Sequence, residues 1–92
     1  MGLKLTKFDE GVWNITTLHS SYVVDLDKYL FGKITHSPEK LTLENIKVEQ
    51  WFKLIDLYAF LGGTMNIAIK PLDSEYMTEL MSSNIISITK IS

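Results

Sequence analysis

Residues 12–27 read Val-Trp-Asn-Ile-Thr-Thr-Leu-His-Ser-Ser-Tyr-Val-Val-Asp-Leu-Asp, and this stretch decides the predicted fold. Inward and outward positions alternate over residues 13–17 and again over residues 22–27, which is the period of two of a half-buried β-strand. Between them, residues 19–21 form a polar break of hairpin length. The stretch therefore predicts two antiparallel strands joined by a tight turn, with Trp13 as an anchor of the core.

The remaining apolar segments predict further short strands on both sides of this hairpin. A short strand is expected near residues 4–8. A third meander strand is expected at 29–36, where the central Gly32 indicates a bulge or a close backbone approach. Large apolar side chains alternate with other residues over 64–70, which predicts a strand with one buried face. The isoleucine-rich residues 82–91 predict a last strand.

Two segments are compatible with a helix as well as with other structures. Residues 49–61 contain no helix breaker and are followed by a double glycine, which is typical of a helix C-terminus. Their nearly continuous apolarity is equally typical of a buried strand. We expect a strand at 50–56, with one helix near 44–61 as the alternative. Residues 72–77 are expected to form a loop, and two helical turns at 74–81 are the alternative there.

These elements predict one domain that spans residues 1–92 and is all-β or β-rich. Five to six short strands with hairpin-scale connections indicate a small antiparallel barrel or a curved sheet. An α+β fold with the helix near 44–61 is the alternative. A chain of 92 residues buries roughly two-thirds of the surface that its unfolded form exposes.

Composition excludes or disfavours several classes of function. The nine basic residues are all lysines and are outnumbered by eleven acids, giving a net charge of −2. This composition disfavours nucleic acid as a partner, because duplex-binding domains usually carry a basic patch and use arginine for forked contacts. The chain contains no cysteine, so thiolate nucleophiles and cysteine-ligated metals are excluded. We predict a cytoplasmic protein without a membrane partner, because no apolar run is long enough for a signal peptide or a span.

The residue types that carry catalysis do not form a recognisable site. His19, Ser20, Ser21 and Asp25 include a nucleophile, a base and an acid, but neighbours around one hairpin turn rarely form the required relay. Asp25 and Asp27, with His36 from the third strand, could hold a metal or act as acid and base, although solvated residues at a sheet rim are the simpler interpretation. We therefore predict no catalytic, cofactor-binding or metal-binding residues and expect that the protein is not an enzyme.

Large aromatic side chains are more numerous than a small core requires. We predict that Trp51, Tyr58 and Phe60 belong to an interaction surface, because exposed Trp and Tyr side chains are typical of protein–protein contacts. The expected partner is another protein or a second copy of the chain, as in a homodimer. The alternative is a small-barrel protein that binds a ligand or nucleic acid by stacking on exposed rings.

A resemblance to one group of proteins covers most of the chain. The pattern Trp13-x-Ile15-x-Thr17, followed by Ser20-x-Tyr22-x-Val24-Asp25-Leu26-Asp27 and later by Gly62-x-x-Met65, resembles short single-domain bacterial proteins of unassigned function. The shared positions are core and turn positions, so the resemblance implies a fold and not an activity. Small size also suits an accessory or inhibitor protein of a phage or mobile element.

Overall fold

A computed structural model describes residues 3–34 and 47–91, and this part of the chain is all-β. Its eight strands form one antiparallel sheet. They are β1 (Lys4–Thr6), β2 (Val12–Thr17), β3 (Ser21–Asp25), β4 (Leu30–Ile34), β5 (Val48–Phe60), β6 (Met65–Pro71), β7 (Thr78–Met81) and β8 (Ile85–Lys90). The β-rich prediction is confirmed, and the strand count exceeds the predicted five to six.

The strands follow the order β7-β6-β5-β4-β3-β2-β8, and β1 pairs with the second half of β5. Both ends of this path are free, so the described strands form an open sheet and not a closed barrel. The sheet is nevertheless curved. Gly62 N–H donates to Ile85 O (3.0 Å) and Ile85 N–H donates to Gly63 O (2.7 Å), so the start of β8 reaches the end of β5.

The predicted hairpin is confirmed as β2 and β3, which pair from Val12↔Asp25 to Thr16↔Ser21. Its connection is closed by Thr17 N–H, which donates to Ser20 O at 2.8 Å. Inward-facing Ile15 and Val24 are fully buried. Trp13 is half-buried against the core, so the tryptophan anchors the edge of the core and not its centre.

The segment that was compatible with a helix or a strand forms β5. It is a strand, as predicted, but it is longer than the predicted 50–56. The helix alternative is wrong over residues 47–61; residues 44–46 lie outside the described part. Both edges of β5 are paired, with β6 along one edge and with β4 and then β1 along the other. A bulge between Leu54 and Asp56 shifts the register against β6. Pairing on two edges supplies the backbone hydrogen bonds that a helix would have made internally.

β7 has no counterpart among the predicted strands, because residues 72–77 were expected to be a loop, with two helical turns at 74–81 as the alternative. All four β7 residues are exposed, so its sequence shows no alternation of buried and exposed positions. The structure makes it a strand through its register with β6, from Asn66↔Met81 to Ile69↔Thr78.

Side chains on the inner face of the sheet form the main core. The buried members include Leu5, Ile15, Val24, Leu26, Phe31, Leu54, Leu57, Met65, Ile67, Ile69, Ile85 and Ile88. A second, smaller cluster lies on the outer face, where Val12, Val23 and Ile34 are packed by Val48, Trp51 and Ile91. The close approach predicted at Gly32 is confirmed on this face, where its α-carbon lies against the Val48 side chain.

The turn between β3 and β4 contains a conformation that its sequence does not favour. The Asp25 carboxylate accepts the N–H groups of Asp27 (3.0 Å) and Lys28 (2.9 Å) and so closes the turn. Tyr29 follows with a φ of 55°, a left-handed value that a β-carbon makes unfavourable by about 1–2 kcal/mol.

Replacing Tyr29 by asparagine is therefore expected to raise the free energy of unfolding by about 0.5–1 kcal/mol, because asparagine tolerates the left-handed region. Urea unfolding would measure the change. Tyr76→Asn is the matched control, because Tyr76 is exposed and has no positive φ. If Tyr29→Asn instead lowers the free energy of unfolding, the exposed Tyr29 ring contributes more stability than its left-handed backbone conformation costs.

The described residues contain no helix with the length and apolarity that crossing a bilayer would require.

Candidate interaction surface

The three side chains of the predicted surface all lie on the outer face of β5 but do not form one patch. Trp51 is half-buried in the outer cluster. Tyr58 and Phe60 alternate with the buried Leu57 and Ala59 and are 49% and 42% exposed. The structure therefore brings Tyr58 and Phe60 together and places Trp51 on the other side of the bulge.

Tyr58 lines a groove on the outer face of β5, β6 and β7, which we call the outer groove. Two rows of directly opposed residues form it, Tyr58–Asn66–Met81 and Asp56–Ala68–Glu79. The groove has a volume of about 450 Å³. Ala68 is buried at its floor, and this small side chain leaves the space between the two carboxylates open.

The outer groove carries negative charge. Its described lining includes Asp56 and Glu79 but no lysine. Asp56 uses one carboxylate oxygen to accept Leu57 N–H at 2.9 Å, next to the bulge. Lys4 lies beyond Tyr58, with its ammonium 5.9 Å from the ring centroid. A partner side chain with an apolar stem and a cationic end therefore fits the groove. Its stem can pack on the Tyr58 ring while its charge lies near Asp56 and Glu79.

Among the described strands, β7 forms one edge of the sheet beside this groove, and we call it the β7 edge. Leu80 and Met81 are 48% and 70% exposed, and the preceding Tyr76 and Met77 are also exposed. Natural edge strands are usually protected by lysine, proline or a covering segment. Residues 72–84 contain none of the nine lysines and no proline.

The backbone of the β7 edge presents hydrogen-bonding groups away from the sheet. Ser82 N–H donates to Met65 O at 3.0 Å, so residue 82 faces β6 with its polar backbone groups. Because these groups alternate in an antiparallel pair, Thr78 and Leu80 also face β6, whereas Glu79 and Met81 face outward. No strand in residues 3–34 or 47–91 pairs with this side of β7, so the N–H and C=O groups of Glu79 and Met81 can bond to another strand.

The residues of the β7 edge were not among the predicted site residues. Their signal in the sequence was an excess of large apolar side chains, Tyr76, Met77, Leu80 and Met81, in a segment otherwise typical of a loop. Pairing with β6 was needed to show that Met81 shares a row with Tyr58.

An inner pocket opens on the concave side of the sheet, with a volume of about 420 Å³. Its walls include Phe52, Ile69 and the stacked rings of Tyr22 and Phe31, whose centroids are 5.3 Å apart at an angle of 21°. Polar side chains also line it, namely Lys33, Glu49 and Gln50. Aromatic walls with a few polar groups are typical of small-molecule sites.

The acidic and hydroxyl side chains considered for catalysis bind backbone groups or neighbouring polar side chains that were not candidates. Asp25 closes the β3–β4 turn, and Asp27 accepts Gly11 N–H at 3.0 Å. Ser21 Oγ accepts from Asn14 Nδ2 at 2.8 Å, and His19 is exposed. His36 lies outside the described residues, and within them no three His, Asp or Glu side chains are grouped as metal ligands.

The described part of the chain thus presents an acidic outer groove, a free strand edge beside it and an aromatic inner pocket. Comparison of the chain with known protein families, with curated proteins and with solved structures found no match.

Proposed function

We propose that the protein is a non-enzymatic protein-binding module whose contact surface consists of the outer groove and the β7 edge. One observation carries the proposal. Three exposed apolar side chains are concentrated there: Tyr58 and Met81 lie at the two ends of one row across the outer groove, with Asn66 between them, and Leu80 is exposed on the inner face of the same edge strand. A concentration of exposed apolar side chains is typical of interaction sites.

The composition of the surface supports binding strong enough to be specific. Fully burying one large apolar side chain contributes about 1.5–3 kcal/mol, so Tyr58, Leu80 and Met81 together supply several kcal/mol. Tyrosine and methionine are enriched in interface cores. The adjacent Asp56 and Glu79 would select partners by charge.

Chain length and cysteine content fit one biological setting. A chain of 92 residues suits an accessory or inhibitor protein of a phage or mobile element, which acts by binding another protein. The absence of cysteine from the sequence suits a reducing compartment such as the cytoplasm.

Site-specific photo-cross-linking tests the proposed surface. Benzoylphenylalanine replaces Met81 in one variant and Phe8 in the control, because Phe8 is even more exposed but lies in the β1–β2 turn. In cells of the source organism we expect position 81 to cross-link one protein in a stoichiometric product, and position 8 to give none. Equal products from both positions, or a product from 81 that disappears after nuclease treatment, would contradict the proposal.

Replacing Tyr58 by serine is expected to weaken binding of that cross-linked protein by about tenfold or more, because the ring forms one wall of the groove. The free energy of unfolding should change by only about 1 kcal/mol, since the side chain is half exposed. Titration calorimetry and urea unfolding measure the two quantities. Phe8→Ser is the matched control, and loss of folding in Tyr58→Ser would show that the ring belongs to the core.

The inner pocket favours a second candidate, the binding of a small aromatic anion. Anilinonaphthalene sulfonate is a suitable probe, because its rings match Tyr22 and Phe31 and its sulfonate matches Lys33. Saturable fluorescence that Lys33→Glu weakens and Lys28→Glu does not would support this function. Binding of labelled single-stranded DNA instead, weakened steeply by salt, would favour the nucleic-acid alternative.

A further inference from the structure

We infer that the β7 edge accepts an extended segment of the partner protein as an additional antiparallel strand, and that this segment alternates lysine or arginine with apolar residues. The inference rests on the proposed function and specifies the chemistry of the partner. Three features of the β7 edge support it: the direction of its backbone N–H and C=O groups, the side chains on its two faces, and its acidic residues.

The backbone of the β7 edge determines the register in which an incoming strand can pair with β7. Glu79 and Met81 direct their N–H and C=O groups away from β6, so an incoming strand can form paired hydrogen bonds with each of them. Such a strand would lie about 4.8 Å from β7. Main-chain hydrogen bonds of this type supply affinity in strand-addition complexes, while side chains supply specificity.

The two faces of β7 require different side chains from the incoming strand. Leu80 points to the inner face and is half exposed, whereas Glu79 and Met81 point to the outer face beside the groove. Side chains directly across a strand pair have β-carbons about 5 Å apart. An apolar residue therefore matches Leu80, and a cation matches Glu79. Because successive residues face opposite sides, the matching sequence alternates the two types.

The acidic residues near β7 favour a cationic segment of another protein, and not a second copy of this chain, as the added strand. Residues 72–84 contain Asp73, Glu75 and Glu79 and no lysine. Pairing two copies of β7 would bring this acidic segment against itself, and like charges close across a strand pair are destabilising.

The other edge of the sheet formed by the described strands is less suited to strand addition. β8 contains a register shift in its pairing with β2, and irregular pairing twists an edge away from partners. Ile85, its first residue, already exchanges hydrogen bonds with the β5–β6 turn. Lys90, its last residue, holds its ammonium 5.8 Å from the Trp13 ring centroid.

Three labelled eight-residue peptides test the inference by fluorescence anisotropy. In the first, lysine alternates with valine; in the second, glutamate alternates with valine; in the third, four lysines precede four valines. We expect the first peptide to bind about tenfold or more tightly than either of the others, and raising the salt concentration to about 0.5 M to weaken it. Equal binding of the first and third peptides would overturn the inference, because charge alone would then explain it.

Met81→Pro tests whether the backbone takes part. Proline removes an N–H that faces away from β6, so it blocks pairing with an incoming strand without breaking the β6–β7 ladder. Met81→Ala controls for loss of the side chain. We expect Met81→Pro to weaken binding of the lysine–valine peptide about tenfold more than Met81→Ala does. Equal binding by the two variants would contradict strand addition.

Amide hydrogen exchange of the unmodified protein gives an independent measurement if Met81→Pro fails to fold. The lysine–valine peptide should slow exchange of the Glu79 and Met81 amides about tenfold or more, and unchanged rates would overturn the inference. Cross-linking at position 81 separates this result from the function itself. If a protein is cross-linked there while the peptide does not bind, protein binding stands and strand addition is wrong. If neither occurs, both are wrong.

Discussion

Ile15→Ala is expected to lower the free energy of unfolding by about 2–5 kcal/mol, because truncating a buried isoleucine loses its burial and leaves a cavity. Ile15 is fully buried in β2, which is paired on both sides by β3 and β8. A chain of this size has a total stability of roughly 5–14 kcal/mol. The variant should therefore melt about 10–30 °C lower or be unfolded at room temperature.

Ile86→Ala is the matched control for that substitution. Ile86 belongs to β8, which pairs with the strand of Ile15, but is 57% exposed. Its loss should cost about 0.5 kcal/mol, as expected for an exposed site. Thermal and urea unfolding of both variants measure the difference, and equal losses would show that the inner face of β2 is not the centre of the core.

Gly32→Ala is expected to cost about 1–3 kcal/mol, because a β-carbon there would collide with Cγ1 of Val48. The collision involves a branched side chain on the neighbouring strand β5, which cannot turn away as a long flexible side chain would. Urea unfolding of the purified variant measures the loss. The strain lies in the outer cluster and leaves the main core intact, so the variant should keep its β-sheet circular dichroism.

A double-mutant cycle separates this collision from other effects of the added methyl group. Val48→Ala removes the obstructing atom and should by itself cost about 1 kcal/mol or less, since Val48 is half-buried. In the Val48→Ala background, Gly32→Ala should be close to neutral. A cost that stays the same in both backgrounds would show that the backbone at Gly32, and not the contact with Val48, requires glycine.

Local sequence patterns were sufficient where inward and outward residue types alternate along one strand. The hairpin at 12–27 and the strand at 64–70 were both predicted, and the inward-facing Ile15, Val24 and Ile67 are buried. The pattern did not predict that the outward-facing Val12 and Val23 are buried as well. The strand at 4–8 was predicted as well, but its pairing with the end of β5 was not. Pairing between residues that are distant in sequence leaves no mark in the local pattern.

The candidate site was predictable only in part. Tyr58 was identified from its residue type, and the structure places it in the outer groove. Trp51 was grouped with it, although a bulge and packing in the outer cluster separate the two. Met81 and Leu80 were missed, because an exposed edge strand has no buried face and therefore no periodic signal.

The sequence by itself determined that this protein is β-rich and built around a hairpin, because alternating apolar and polar side chains fit an extended backbone with one face toward the core. The tertiary structure alone decided that β5 is a strand, since its apolar run suits a helix until both of its edges are paired. It likewise decided that β7 exists and lies beside Tyr58. The physical reason is that side-chain periodicity is local, whereas strand partners and the surfaces between them depend on contacts across the whole sheet.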